Sequence, residues 1–197
     1  MERVYPWAWR VNTLVYGEGM SERLTKADWI RHGMRTLARD GHNALKVESM
    51  ATKLNVSRGS FYWHFQDMAA FRSQLLQSWR EVSTDEVIRD LDARDGDPER
   101  LKRLLRHALS GSRMLDRAMR SWAGEDDEVA KVIASVDARR AERIAGLLID
   151  AGVDRERANH RAAFLYWAYL GQAIVMDPRH TSIPDWALDE ISNLFEA

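Results

Sequence analysis

The chain has 197 residues, 45% of them apolar and 30% charged, with a formal net charge of -1 at pH 7. That is enough apolar material for a real core, and the composition is not that of a disordered chain. No cysteine is present, which excludes disulfides, thiolate zinc sites, iron–sulfur clusters and cysteine nucleophiles, and suits a reducing cytoplasm. No apolar run approaches the roughly 18–20 residues that a membrane span needs. Four prolines and eleven glycines, set among many Ala, Leu, Arg, Glu and Asp, predict an all-α protein.

Charge is unevenly placed. Residues 20–66 carry eight Lys/Arg against four acids, whereas residues 67–197 carry nineteen against twenty-four. A basic module on an acidic body is the layout of a polyanion-binding head attached to something else. Residues 1–19 show no helical period, no unbroken apolar stretch and no small-residue cleavage site, so they do not read as a secretory signal. They are expected to be an N-terminal extension, with Met20 as the natural start.

From Thr25 the helical pattern is clear. Thr25 is the expected cap of a helix whose apolar residues Trp29, Ile30, Met34, Leu37 and Ala38 recur at three- and four-residue steps, with Gly41 as its stop. A short second helix places Val47, Met50, Ala51 and Leu54 on one face. Asn55-Val56-Ser57 breaks it: Asn tolerates the left-handed conformation, and Ser57 can cap a third helix over 58–65. Two short helices joined by a three-residue turn form a helix-turn-helix candidate. Ala51 allows close approach, Val56 fills the gap beneath, and Phe61 and Phe65 anchor the third helix. Arg58, Gly59, Ser60, Tyr62, Trp63 and His64 are left facing outward or sideways. Glycine costs about 1 kcal/mol in a helix interior, so Gly59 implies that something comes close to the backbone.

The stretch from Gly41 to Phe65, GHNALKVESMATKLNVSRGSFYWHF, resembles the DNA-binding signature of the TetR/AcrR family of transcriptional regulators. The family pattern has an apolar-Ala pair in its second helix and a Gly-Val-Ser/Thr turn. A basic-Gly-Ser/Thr start and Tyr-x-His/Tyr-Phe follow. The resemblance covers about residues 25–80, and the length and helix number of the whole chain also fit. Three positions depart from the pattern. Asn55 stands for the turn glycine, Met68 for a frequent phosphate-gripping lysine, and Lys46 for the usual capping threonine. The resemblance implies an N-terminal three-helix DNA-binding domain over 20–66. Residues 67–197 would form a C-terminal helical domain for effector binding and dimerisation, about nine helices in all.

Chemistry divides the roles within the head. Arg58 and Ser60 are expected to read base edges, arginine presenting a two-pronged donor to guanine. Ser57, Tyr62 and His64 are expected on phosphate oxygens, with Lys46 and Lys26 adding sequence-independent attraction. Trp63 would lie against the sugar backbone or a thymine methyl. Packing within the protein is the alternative for Tyr62 and Trp63.

Beyond the head, one helix from Asp67 to about Leu91 buries Phe71, Leu75, Leu76 and Trp79. Further helices are expected over 98–110, 113–122, 127–150, 154–176 and 184–196, with Gly152 and Asp177-Pro178 as stops. Residues 162–176 are apolar on every side except Gln172, so this helix needs burial all round. A two-fold dimer would supply it, through Ala158, Ala162, Leu165, Tyr169, Gly171, Trp186, Ile191 and Leu194. The resemblance also implies an effector cavity, with Trp79, His107, Met114, Trp122 and Tyr166 as candidate lining and a small apolar or aromatic ligand as occupant. Arg139-Arg140 reads as a solvated face or as ion-pair partners of Asp137 and Glu142.

No P-loop, dinucleotide glycine motif, His-Glu-x-x-His or serine elbow is present, so no catalytic role, cofactor or metal is expected. The expectation is a cytoplasmic, homodimeric, ligand-responsive regulator of double-stranded DNA, a repressor by family habit. The alternative is a helical ligand-binding or interaction protein that has lost specific DNA binding.

Overall fold

The computed structural model describes residues 24–110, 114–172 and 183–197. The extension over 1–19 and the start at Met20 lie outside these residues, as do the end of the expected 154–176 helix and its Asp177-Pro178 stop. Among the described residues the fold is nine α-helices with no strand. The head comprises α1 (Lys26–Asp40), a 3₁₀ turn His42–Ala44, α2 (Val47–Lys53) and α3 (Arg58–His64). Helix α4 runs unbroken over 68–92, from Met68–Arg80 through a π-helical turn at Glu81–Asp85 into Glu86–Asp92. The body continues with α5 (Arg100–Ser110), α6 (Met114–Ala123), α7 (Asp127–Asp150), α8 (Arg155–Leu170) and α9 (Asp185–Glu196).

Local chemistry sets the helix ends. Thr25 and Asp28 form a reciprocal capping box: the Asp28 N–H donates to Thr25 Oγ1 at 3.2 Å, and the Thr25 N–H donates to Asp28 Oδ2 at 2.9 Å. Such a cap contributes about 1 kcal/mol. Asp67, Asp126 and Asp154 accept from the first-turn amides of α4, α7 and α8 in the same way. Ser57 holds the N-cap position of α3, but its side chain makes no capping bond, contrary to the expectation. Asn55, at φ 54°, ends α2. The Val56 N–H reaches Ala51 O and the Asn55 N–H reaches Thr52 O, the paired bonds of a Schellman exit that a left-handed residue permits. Helix α5 starts two residues later than expected because Asp97 turns back to accept from the Glu99 N–H at 2.8 Å.

Two apolar cores divide the molecule, but not at the expected 66/67 boundary. The first joins Trp29, Leu37, Met50 and Phe61 of the head to Phe71, Leu75 and Trp79 of α4. It continues through Met119 and Trp122 of α6 to Val129, Ile133 and Val136 of α7. The second gathers Leu91, Leu101, Leu105, Leu148, Ala158, Ala162, Leu165 and Tyr166 around the other end of the body. Helix α4 contributes to both. The head is therefore packed onto the body over a broad area rather than hung from a linker. Arg72 of α4 lies 5.8 Å from the centre of the Trp122 ring, and His42 stacks on the same indole at 5.9 Å with only 2° between the planes.

The crossing of α1 and α4 depends on Gly33. A methyl group there would lie 2.5 Å from Phe71 Cζ and 2.8 Å from Leu75 Cδ1, and both of those side chains are fully buried. Overpacking of this kind costs about 1–3 kcal/mol. Gly33→Ala is expected to lower the thermal midpoint by several degrees. Circular dichroism melting checks it, and an unchanged midpoint would show that α1 can slide off α4 freely.

Candidate nucleic-acid interface

Helix α3 is two turns long and would not persist alone. Its support is aromatic. Phe61, with no exposed surface, meets Trp29 of α1 edge-on at 5.3 Å, Phe65 at 5.1 Å and Phe71 of α4 at 5.4 Å. Phe65 in turn packs edge-on against Phe71 at 5.0 Å. Truncating a buried phenylalanine costs roughly 3–5 kcal/mol, so this cluster decides whether α3 is presented at all.

With Phe61 turned inward, the opposite side of α3 is open. Arg58 and Gly59 are exposed, Tyr62 is 56% exposed and Trp63 is 74% exposed. An exposed indole of that degree on a short helix is a large apolar surface left to water. Gly59 has no reason within the protein to be glycine: a methyl group there would meet only Ser57 Oγ, at an ordinary 3.5 Å.

The remaining expected contacts are placed less openly. Ser60 is half-buried, and its Oγ accepts from Trp29 Nε1 at 3.4 Å. His64 Nε2 lies 2.6 Å from the carbonyl oxygen of Leu24, so the ring ties the end of α3 to the residue before the α1 cap. Ser57 is exposed at the start of α3. Lys46 is exposed at the start of α2, and the ammonium of Lys26 sits 5.5 Å above the Phe65 ring.

Charges around the head are largely self-paired. Arg31 meets Asp28 at 2.9 Å, while Arg39 and Lys53 share Asp40 at 2.9 and 3.0 Å. Arg58 Nη1 lies 3.2 Å from Glu48 Oε1 across α2 and α3. Glu48 was not foreseen from the sequence. Its own backbone N–H, and then Arg58, hold its carboxyl below the usual range. Lys26, Arg35 and Lys46 are exposed and take part in none of these pairs.

The candidate effector residues do not converge on one cavity. Trp79 and Tyr166 adjoin a polar network instead. Trp79 Nε1 donates to Asp116 Oδ1 at 3.3 Å, and the Tyr169 hydroxyl also donates to Asp116. Tyr166 donates to Asp137 at 2.6 Å, and Arg120 grips the same carboxylate with two bonds of 2.9 and 2.6 Å. Burial pushes the Tyr166 hydroxyl well above its ordinary value, so it stays a donor. Arg140 is the reverse of a solvated residue. It donates to Thr84 Oγ1 at 2.9 Å, to the Ser83 carbonyl at 3.1 Å and to Ser83 Oγ at 3.0 Å, with Asp116 4.0 Å away. Burial works against its charge, and Asp116 together with Tyr169 and Tyr166 outweighs that cost. Asp137 thus pairs with Arg120 rather than with Arg139 or Arg140, and Arg139 reaches Asp85 at 3.1 Å.

The other three lie elsewhere. Trp122 is fully buried at the junction of head and body. Met114 is 56% exposed and borders an open cleft with Leu37, Ala38, Gly41, His42 and Arg117. His107 is half-buried on α5. Periodicity could not tell these environments apart.

The residues expected at a dimer face divide between core and surface. Ala158, Ala162 and Leu165 belong to the protein's own second core, Tyr169 turns inward to Asp116, and Ile191 packs half-buried on that core. Gly171 is half-buried, and Trp186 and Leu194 are 65% and 71% exposed. Phe164 (59% exposed) and Trp167 (67%), not among the residues expected at the dimer face, lie on the outer face of α8, where Phe164 stacks on Phe195 of α9 at 5.9 Å. Their i, i+3 spacing on the face opposite Ala158, Ala162 and Leu165 was the available signal.

An all-helical body carrying a helix-turn-helix whose second helix is propped outward defines a DNA-binding transcriptional regulator. Residues 30–75 match the family model "Bacterial regulatory proteins, tetR family", so the head is similar to the DNA-binding domain of that family. Two solved structures share the fold. One is a Clostridium perfringens protein assigned to the regulation of fatty acid metabolism, with a TM-score of 0.64 and 18% identity; the match covers 85% of this chain and 95% of that one. The other is a protein of Mesorhizobium loti MAFF303099 assigned to the TetR family, with a TM-score of 0.63 and 17% identity; here the shares are 87% and 92%. No curated protein matches the sequence. No helix of the described residues is long and apolar enough to cross a membrane, and none of their acidic and histidine side chains group into a candidate metal site.

Gly59 supplies a direct test of the interface. Gly59→Ala is expected to leave the melting temperature unchanged or slightly raised, since alanine is the better helix former by up to ~1 kcal/mol. Affinity for the chain's DNA site should fall, because the added methyl stands where the duplex approaches. Paired melting and fluorescence-anisotropy titrations check it. Undiminished affinity would mean that the duplex keeps its distance from this backbone.

Proposed function

We propose that this protein is a homodimeric repressor that binds a palindromic operator and is released by a small-molecule effector in the cytoplasm. The observation that carries the reading is the outward edge of α3, where Arg58, Gly59, Tyr62 and Trp63 stand open while Phe61 and Phe65 are buried. Arg58 reads a base edge, and Ser60 assists at the groove floor from its bond to Trp29. Ser57, Tyr62 and His64 meet the sugar-phosphate backbone, with Trp63 against a sugar or thymine methyl. Lys26 and Lys46 add attraction that depends on salt.

Dimerisation is supported by the apolar side chains that α8 and α9 leave in water: Phe164, Trp167, Trp186 and Leu194. A patch of this kind on adjoining helices is rare on a monomer. A second copy related by a two-fold axis would cover it and would set two α3 helices against half-sites about 34–36 Å apart. Effector release requires a ligand that binds one spacing of the heads better than the other. A small aromatic or apolar ligand would have to open space beside the buried network that Trp79 and Tyr166 join.

Two experiments test this reading. A gel shift against DNA upstream of the chain's own gene should give a salt-sensitive, palindrome-specific complex. Arg58→Ala should relax base preference by about 1–3 kcal/mol at one position per half-site, whereas Lys46→Ala should weaken all sequences alike and flatten the salt dependence. Identical, sequence-blind effects would overturn the division of roles, and no shift at all would favour a protein that has lost specific DNA binding. Separately, sedimentation should show a dimer that Phe164→Arg with Trp167→Glu converts to a folded monomer. A wild-type monomer, or an unaffected dimer, would place the contact elsewhere.

A further inference from the structure

The pairing of Glu48 with Arg58 is unexplained by anything else in the head. Both side chains are about two-thirds exposed, and 3.2 Å separates Oε1 from Nη1. An ion pair so open to water adds little to stability. It also sets a carboxylate on the face that a polyanion is to approach, beside Lys46, where a neutral residue would bind phosphate-bearing surfaces more tightly. The first turn of α2 would accept an acid through its dipole, but that accounts for an acid and not for its partner.

We infer that Glu48 is a positioning residue for base reading: it clamps one edge of the Arg58 guanidinium so that the other meets guanine as a ready-made fork. The chemistry fits the contact. A guanidinium carries five N–H groups in a fixed plane, and two parallel donors match the O6 and N7 acceptors of guanine. Spending Nη1 on Glu48 leaves the Nε and Nη2 donors as a parallel pair. Arg58 begins α3 on a long, exposed side chain, and an untethered arginine there would settle on the nearest phosphate. A carboxylate from the neighbouring helix holds it off the phosphates by repelling them and orients it by accepting from it. On the duplex the pair also leaves bulk water, where its attraction is far stronger than on the open surface. Glu48 thus lowers general affinity and raises discrimination. This inference rests on the reading of α3 as the recognition helix.

The test is selection of binding sites from a randomised DNA pool, then anisotropy titrations at several salt concentrations, for wild type, Glu48→Gln, Arg58→Ala and the double variant. The base pair at which Arg58→Ala loses preference identifies the arginine contact. At that base pair Glu48→Gln is expected to lose preference roughly fivefold or more, while its affinity for random DNA rises and its salt dependence steepens. The double variant should be no less selective there than Arg58→Ala alone, and Glu48→Asp should restore part of the preference. Melting temperatures of all variants should stay within a few degrees of wild type. If wild type selects a site and Glu48→Gln keeps full preference at that base pair, the positioning role is wrong while the regulator reading stands. Equal loss at every position would make Glu48 merely structural. If wild type selects no site, the regulator reading fails and takes this inference with it.

Discussion

Everything that α3 can do depends on one aromatic wedge. Phe61 sits between Trp29, Phe65 and Phe71, so the recognition helix is fixed by ring contacts to α1 and α4 and not by its own seven residues. Aromatic packing suits this task because flat rings bury large areas with few rotatable bonds, and edge-on pairs fix relative angle as well as distance. The polar bonds at either end then only trim the pose. Trp29 Nε1 to Ser60 and His64 to the Leu24 carbonyl secure the start and finish of the helix against α1. Removing the wedge would leave the outward residues present in the chain but without a common face.

The same wedge continues into the body. Phe71, Leu75 and Trp79 carry the head core along α4 to Met119 and Trp122 and on to the first half of α7. Helix α4 then passes its π-helical turn, where Arg140 of α7 holds Ser83 and Thr84, and enters the second core at Leu91. A rearrangement around Asp116, Arg120, Asp137 and Arg140 therefore reaches the head through packed helices with no flexible joint between. Tight packing transmits such shifts because it cannot absorb them locally. At the π turn a single arginine binds one carbonyl and two hydroxyls of α4.

Much of this was legible in the chain itself, wherever one residue type has a narrow set of uses. Thr25 and Asp67 cap, Asn55 turns left-handed, Gly152 ends a helix, and the buried stripe Phe71, Leu75, Leu76 and Trp79 lies as its spacing predicts. Failures came where a residue's partner is distant in sequence. Arg140 looks like any surface arginine until Ser83 and Thr84 are brought beside it, 56 and 57 residues away. Glu48 looks like a helix-start acid until α3 folds back to place Arg58 against it. On α8 the spacing separates Phe164 and Trp167 from Ala158, Ala162 and Leu165 as two faces, but a run apolar all round does not say which face turns inward. Only the position of α7 and α9 decides which side turns inward.

The head's charge balance constrains how it can recognise DNA. Each described acid of the head is matched: Asp28 with Arg31, Asp40 with Arg39 and Lys53, Glu48 with Arg58. Among the described residues, the basic side chains of the head outside these pairs are Lys26, Arg35 and Lys46. Burial, helped by nearby Arg35 and Lys53, depresses the protonation of His32, so this histidine adds little to the basic charge of the head. Each phosphate that such cations neutralise would contribute to affinity through released counterions. In the proposed dimer the head would be doubled, and a close fit of α3 to the groove would add to affinity. Under that reading the bare Gly59 backbone would admit the duplex, and the exposed Tyr62 and Trp63 rings would fill the space beside it.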